Sequence, residues 1–180
     1  MNQQKSASKH TNESIGLLKR VAYFFAFLYF VLSLAHFFVL QAPFKWILCA
    51  MTLLTATINF AVALSVPKIS PSRQSLIILL LLLLASANSF LHLWLSAAPE
   101  QTTNIFVTII ASGIVLSSRP HWVASILFNW IGWLAISITL EMALIQHFFF
   151  AMAMSTLLSW FAHLARKKLV EKQLELEQER

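Results

Sequence analysis

Hydrophobic residues form six long runs between Arg20 and Arg166, and short polar stretches separate these runs. Each run is close to the roughly 20 helical residues that cross a hydrocarbon core of about 30 Å. Because backbone groups in lipid must be satisfied within their own segment, the runs predict helices. The predicted spans are residues 21–40, 46–66, 75–97, 102–118, 121–140 and 142–165. The pattern therefore predicts an all-α, polytopic membrane protein built as a six-transmembrane-helix bundle.

Two polar segments flank the predicted bundle of residues 17–165. Residues 1–16 are rich in Lys, Ser, Gln and Asn, which predicts a disordered N-terminal tail. Residues 166–180 contain neither Gly nor Pro, so the last helix is predicted to continue out of the membrane as a signalling helix. Lys167 and Glu171 are spaced to pair on this helix. Leu169 and Leu176 lie seven residues apart, which favours a coiled coil and a homodimer through the sixth helix and its stalk.

The distribution of charge adds an orientation. Basic residues before the first run, Lys68, Arg73 and Arg119 in two connections, and the cluster that begins at Arg166 all fall on one predicted side, whereas the other side holds only Lys45. Since cationic loops stay on the cytoplasmic side, both termini are predicted to be cytoplasmic, in a bacterial inner membrane. The net charge of +6 follows this topology and does not indicate nucleic-acid binding.

Polar and aromatic residues inside the spans are the candidates for a binding site. His36, His92 and His147 fall at a similar predicted depth, and ionisable groups within a membrane tend to face cavities or one another. With 15 Phe and three Gly in the chain, any cavity is expected to be apolar and to suit a small hydrophobic ligand. The predicted ligand-binding residues are His36, His92, His147, Trp94, Asn88, Asn129 and Trp133.

Several kinds of chemistry are open to these residues. Three imidazoles could bind a transition metal, two could ligate a haem, and one could act as a pH sensor. Alternatively, the histidines sit among interfacial aromatic residues, and Asn88 and Asn129 only hold helices together through hydrogen bonds of about 1 kcal/mol. Trp133 could stack on a bound molecule or fill the core. We predict neither a bound metal nor a cofactor.

Two stretches carry a resemblance to a known class of protein. Residues 118–122 (Ser-Arg-Pro-His-Trp) lead into a Trp-rich fifth run, and residues 161–168 (Phe-Ala-His-Leu-Ala-Arg-Lys-Lys) lead into the charged stalk. With the six runs, these stretches resemble the membrane-embedded input domains of bacterial diguanylate cyclases and sensor histidine kinases. The resemblance implies a domain that detects a ligand or membrane state, dimerises and moves a helix connected to a cytoplasmic output domain. The chain carries no catalytic motif of either output class, so the sequence predicts no enzyme in these residues.

Two other classes fit less well. A small transporter is the third alternative, but no Asp occurs in the chain and no Glu lies deep in a run. Rhomboid proteases share a six-helix core, and Ser112-Gly113 with His147 would supply their serine and histidine. On the predicted topology Ser112 lies roughly 15 Å below the end of its helix that is near His147, so the two side chains are not expected to meet.

Overall fold

Six α-helices make up nearly all of the structure. A computed structural model of the chain describes residues 2–142 and 145–178, with side chains for residues 16–70, 72–142, 145–172 and 175–176. Its helices, joined by short turns and two 3-10 segments, are α1 (Asn2–Val39), α2 (Phe44–Ser65), α3 (Pro71–Ser96), α4 (Thr102–Val115), α5 (Arg119–Thr139) and α6 (Ile145–Gln178). The described residues contain no strand. The all-α prediction is confirmed.

Five of the helices are long and apolar enough to cross a membrane. These candidate spans are Gly16–Val39, Phe44–Lys68, Ser72–Ser96, Arg119–Thr139 and Ile145–Lys172, in α1, α2, α3, α5 and α6. They correspond to five of the six predicted spans, and they are compatible with a membrane helical bundle. Residues 143–144 of the predicted sixth span lie outside the described residues.

The fourth predicted span is shorter than its hydrophobic run. Helix α4 has 14 residues, which is about 21 Å of helix against a hydrocarbon core of about 30 Å. It ends at Val115 because Leu116 and Ser118 adopt extended backbone angles, and these residues reverse the chain toward α5. The helix predicted over residues 102–118 therefore loses its last turn to the connection.

The chain direction alternates from one helix to the next. Each helix is hydrogen-bonded to the next one along the chain. These bonds join Ser33 to Cys49, Thr55 to Asn88, Ser86 to Thr108, Ser112 to Ser125 and Trp122 to Ser159. One end of the bundle holds His36, His92 and the start of α4, and we call it the His36 end. The opposite end, the His163 end, holds His121 and His163.

Helix α3 forms the centre of the bundle. Half of its most apolar window is buried, compared with 22–33% in the other four long helices. Its buried side chains include Ile78, Leu82 and Ala85, and they contact α1 and α2 on one side and α4 and α5 on the other. The hydrophobic core is therefore arranged around α3.

Two glycines mark close approaches between helices. A Cβ atom added at Gly113 of α4 would overlap the backbone carbonyl of Ser159 on α6. A Cβ atom at Gly132 of α5 would overlap the ring of Phe90 on α3. Small residues allow this proximity in membrane bundles, where packing drives helix association.

The two termini extend the first and last helices. Helix α1 begins at Asn2, so the backbone of residues 2–16 is helical where the sequence predicts a disordered tail. Helix α6 is continuous to Gln178 and carries the predicted ion pair between Lys167 and Glu171, at 3.8 Å. Residues 179–180 of the predicted stalk lie outside the described residues, and its cytoplasmic location stays a prediction.

Candidate functional site

A cavity of about 360 Å³ opens at the His36 end and brings three of the predicted site residues together. Its back wall is α3, and its other walls come from α1, the first turns of α2, and α4. His36, Asn88 and His92 all line it. Its volume lies at the small end of the roughly 300–1,000 Å³ typical of ligand sites. The lining residues are Phe25, Leu28, Tyr29, Leu32, His36, Leu48, Thr52, Ala85, Asn88, Ser89, His92, Gln101, Asn104, Val107, Thr108 and Ala111.

The rings of His36 and His92 contact each other and form part of the cavity wall. Their ring centroids are 5.2 Å apart, with the rings edge to face. They meet because α1 and α3 run in the same direction and are held in register about two turns deeper, where the Tyr29 hydroxyl donates to the Ala85 carbonyl at 3.3 Å. The Nδ1 atom of His36 is buried and has no hydrogen-bond partner among the described residues.

Asn88 lies one turn from His92 on the same face of α3. Its side chain is 6% exposed, and its amide nitrogen donates to Thr55 Oγ1 at 2.6 Å and to the Leu84 carbonyl at 3.1 Å. The amide oxygen Oδ1 has no partner among the residues that the structure describes. Leaving a buried acceptor unpaired costs about 1–3 kcal/mol. A donor in the cavity that bonded to this oxygen would remove that cost.

Asn129 plays a different part from Asn88. It is fully buried, its Oδ1 accepts from the Thr108 hydroxyl at 3.1 Å, and its Nδ2 donates to the Ser125 carbonyl at 2.9 Å. Asn129 is not among the cavity-lining residues, because its Oδ1 is bonded across to α4 and its Nδ2 is bonded to a carbonyl of its own helix.

The remaining three predicted residues also lie outside the cavity lining. Trp133 is fully buried in the core, where its Nε1 donates to Thr102 Oγ1 at 3.3 Å. Trp94 is 47% exposed. His147 is exposed and contacts the ring of Phe148 on its own helix. Because α6 turns His147 outward, the three predicted histidines do not converge.

Metal binding by the three histidines fails for the same reason. Within residues 2–142 and 145–178, no three His, Cys, Asp or Glu side chains are close enough together to hold a metal ion. Ser112 does not pair with His147 either. Its hydroxyl donates to the Thr108 carbonyl at 2.8 Å and lies 2.7 Å from Ser125 Oγ.

Helix α4 contributes a cavity wall that was not predicted from the sequence. Gln101, Asn104, Thr108 and Ala111 follow one another at steps of three or four residues, which places them on one helix face. The spacing was visible in the sequence, but it pointed as readily to a helix contact as to a cavity. Only the tertiary arrangement, in which residues of α1 and α4 line the same cavity, makes this face a cavity wall.

A second groove, of about 390 Å³, runs along the outside of α1 and α2. Phe27, Phe30 and Phe60 line it, and their exposed fractions are 69%, 49% and 50%. It lacks the converging polar groups that orient a ligand. Exposed aromatic side chains on apolar helices are suited to lipid contact, so the cavity at the His36 end is the better candidate.

Comparisons with protein families, curated proteins and solved structures find no match to this chain. The class of protein therefore rests on the fold: an α-helical bundle with five candidate membrane spans and a cavity at one end.

Proposed function

We propose that this chain is a membrane-embedded sensory and dimerisation domain. A small molecule binds in the cavity at the His36 end, and the last helix passes the change to a cytoplasmic output domain. The output is a diguanylate cyclase, or in second place a sensor histidine kinase. One observation carries the proposal: α4 has one side in the cavity and the other against α6.

Helix α4 is suited to such coupling because it is short and is held by contacts at both ends. Asn104 and Thr108 face the cavity, whereas Gly113 brings its backbone against Ser159 of α6. A ligand that displaces α4 by a fraction of a helical turn must move α6 or break that contact, because close-packed interfaces do not deform continuously.

The C-terminal end of α4 is tied directly to α6. The Nδ1 atom of His163 lies 3.0 Å from the Leu116 carbonyl oxygen. Arg166 donates from Nη1 to the Ile114 carbonyl at 2.8 Å. These side chains satisfy carbonyl groups that a helix end leaves free, and a cation is favourable there. They connect α4 to the point where the charged part of α6 begins.

The exposed apolar residues of α6 support dimerisation. Leu169 is 65% exposed and Leu176 is 52% exposed, and their seven-residue spacing is that of a coiled-coil seam. A second copy that pairs along this seam would carry a shift or rotation of α6 beyond the membrane. On this proposal both termini are cytoplasmic and the His36 end faces the other side of the inner membrane.

A fusion experiment tests the proposal. The whole chain is joined at Arg180 to a diguanylate cyclase catalytic domain, and the cellular concentration of cyclic-di-GMP is measured. Ala111→Trp would push into the cavity from α4, and we expect it to change the output at least threefold. The matched control is Leu127→Trp, which adds the same bulk at a position that is 54% exposed on α5. Equal outputs from the two variants at equal membrane levels would remove α4 as the coupling element.

Histidine variants give an independent readout in the same fusion. His36→Ala and His92→Ala should each change the signal response without preventing membrane insertion, because both side chains line the cavity and the apolar length of α1 and α3 is unchanged. His147→Ala should respond as the parent does, since that side chain lies outside the cavity. A normal response in both cavity variants would exclude the cavity as the sensing site.

A further inference from the structure

The cavity has a polar end and an apolar end. His36, His92, Gln101 and Asn104 lie toward the His36 end, whereas Phe25, Leu28, Ala85 and Ala111 form the deeper part. This gradient follows from helix direction, because the last turns of α1 and α3 and the first turn of α4 all lie at the His36 end. One molecule in the cavity would therefore meet the imidazole and amide groups at one end and mainly apolar groups at the other, where the Tyr29 hydroxyl is already bonded to the Ala85 carbonyl.

The depth of the cavity limits the length of such a molecule. Phe25 and His36 are eleven residues apart on α1, or about 16 Å. An extended chain gains roughly 1.2 Å per bond, since a residue of three bonds spans at most about 3.6 Å. The cavity thus suits a single chain of about a dozen atoms. Val107, on its rim, is 64% exposed, so a chain can enter from the side.

The charge of the head group is limited by the lining. No Asp, Glu, Lys or Arg occurs among the lining residues, and an unpaired charge in such surroundings is costly. A plain hydrocarbon would leave Asn88 Oδ1 and His36 Nδ1 without partners. Asn88 Oδ1 can only accept, so its partner must be a donor, and an imidazole can donate or accept in return.

We infer that the cavity binds an uncharged amphiphile with a hydroxyl head and one medium-length apolar chain. The hydroxyl donates to Asn88 Oδ1 and accepts from an imidazole N–H of the His36 and His92 pair. The chain lies between Phe25 and Ala111. This inference rests on the proposed binding function and names the class of ligand for that site.

Decanol is the probe that tests the class. The full chain, labelled with ¹⁵N-histidine, is placed in lipid nanodiscs and titrated with decanol, decyl methyl ether, decane, decanoate and decyltrimethylammonium while histidine resonances are followed. We expect decanol to shift His36 and His92 at concentrations that leave His147 and His121 unchanged. The ether lacks the donor and should bind about tenfold more weakly, which corresponds to about 1.4 kcal/mol.

Two variants locate the head and the chain. Asn88→Leu should reduce the advantage of decanol over its ether to less than threefold, with His147 and His121 resonances reporting that the fold is kept. Ala111→Phe fills the apolar end and should weaken decanol at least tenfold while leaving butanol unchanged. The inference is overturned if the ether or decane matches decanol, if either charged compound binds more tightly, or if none of the five shifts His36 and His92.

These outcomes separate the ligand class from the sensory role. Selective decanol binding with no change of output in the cyclase fusion would retain the class and reject the sensor. A response of the fusion to a different class of molecule would retain the sensor and reject the ligand class.

Discussion

Asn88 on α3 and Asn129 on α5 are the same residue type at comparable burial, yet they belong to different kinds of region. Around Asn129, the side chains of α4, α5 and α6 pair with one another: Trp122 with Ser159 at 2.9 Å, and Trp130 with Thr156 at 3.0 Å. Around Asn88, the amide oxygen, the Oδ1 atom of Asn59 on α2 and the Nδ1 atom of His36 lack partners within the described part of the chain.

The contrast shows what separates a polar residue that packs a membrane bundle from one that is available to a ligand. A close-packed polar network satisfies its members and fixes the helices relative to one another. Unpaired polar atoms beside a cavity carry a free-energy cost that a ligand can remove. Burial alone does not distinguish the two cases, since both asparagines are more than nine-tenths buried.

The largest expected effect tests the compact region at Gly113. Gly113→Ala places a methyl group against the backbone of Ser159, which cannot rotate away, so α4 and α6 must separate. We expect a loss of about 3 kcal/mol or more in the free energy of unfolding, at the upper end for overpacked cores. The measurement is SDS-driven unfolding in mixed micelles, followed by far-UV circular dichroism.

Two other glycines serve as controls for Gly113→Ala. Gly132→Ala meets the Phe90 ring, which can shift, so its cost should be about 1–2 kcal/mol. Gly16→Ala has its nearest contact at 3.7 Å, with Arg20, and should stabilise the protein by about 0.5–1 kcal/mol, because Ala favours a helix interior over Gly. Equal stability of the three variants would show that α4 and α6 are not in backbone contact.

A smaller effect separates the two asparagines. Asn129→Ala leaves a void in a close-packed interior and removes two hydrogen bonds, so we expect a loss of about 2 kcal/mol. Asn88→Ala also removes two hydrogen bonds, but it enlarges an existing cavity instead of creating one and removes an unpaired acceptor, so its cost should be smaller, about 1 kcal/mol. Thermal unfolding in detergent measures both. The reverse order would mean that Asn88 contributes more than Asn129 to holding the bundle together.

The smallest expected effect concerns two histidines of α6. His163 is 5% exposed and stacks on Trp122 with ring centroids 5.5 Å apart, so His163→Ala should cost about 1–2 kcal/mol. His147→Ala should stay within about 0.5 kcal/mol, because its side chain is exposed. The same unfolding assay compares them, and a larger loss for His147→Ala would contradict the outward position of that residue.

Helical spacing in the sequence indicates some of the packing faces. On α2, Thr52, Ala56, Asn59 and Ala63 share one face by their spacing, and all four are buried. On α6, the stripe at steps of four is only partly buried: Ser155, Ser159 and His163 are buried, Ala151 is half-buried and His147 is exposed. Local spacing is sufficient here because a regular helix fixes which residues share a face.

Depth along the membrane was a weaker guide to the site. His36, His92 and His147 have similar predicted depths, but depth leaves the rotation of each helix about its axis undetermined. The contact of Tyr29 with Ala85 sets the register that brings His36 to His92. The close packing of α6 on α4 turns His147 away from them.

The amino-acid sequence alone determined that this is an all-α protein with helices long and apolar enough to span a membrane, because hydrophobic length and backbone satisfaction in lipid allow little else. It also determined the ion pair of Lys167 with Glu171, a contact within one helix. The tertiary structure decided that Asn88 borders a cavity whereas Asn129 closes a network, and that α4 lies between the cavity and α6. Those outcomes depend on how helices rotate and approach one another, which is the sum of many small contacts between residues far apart in the chain.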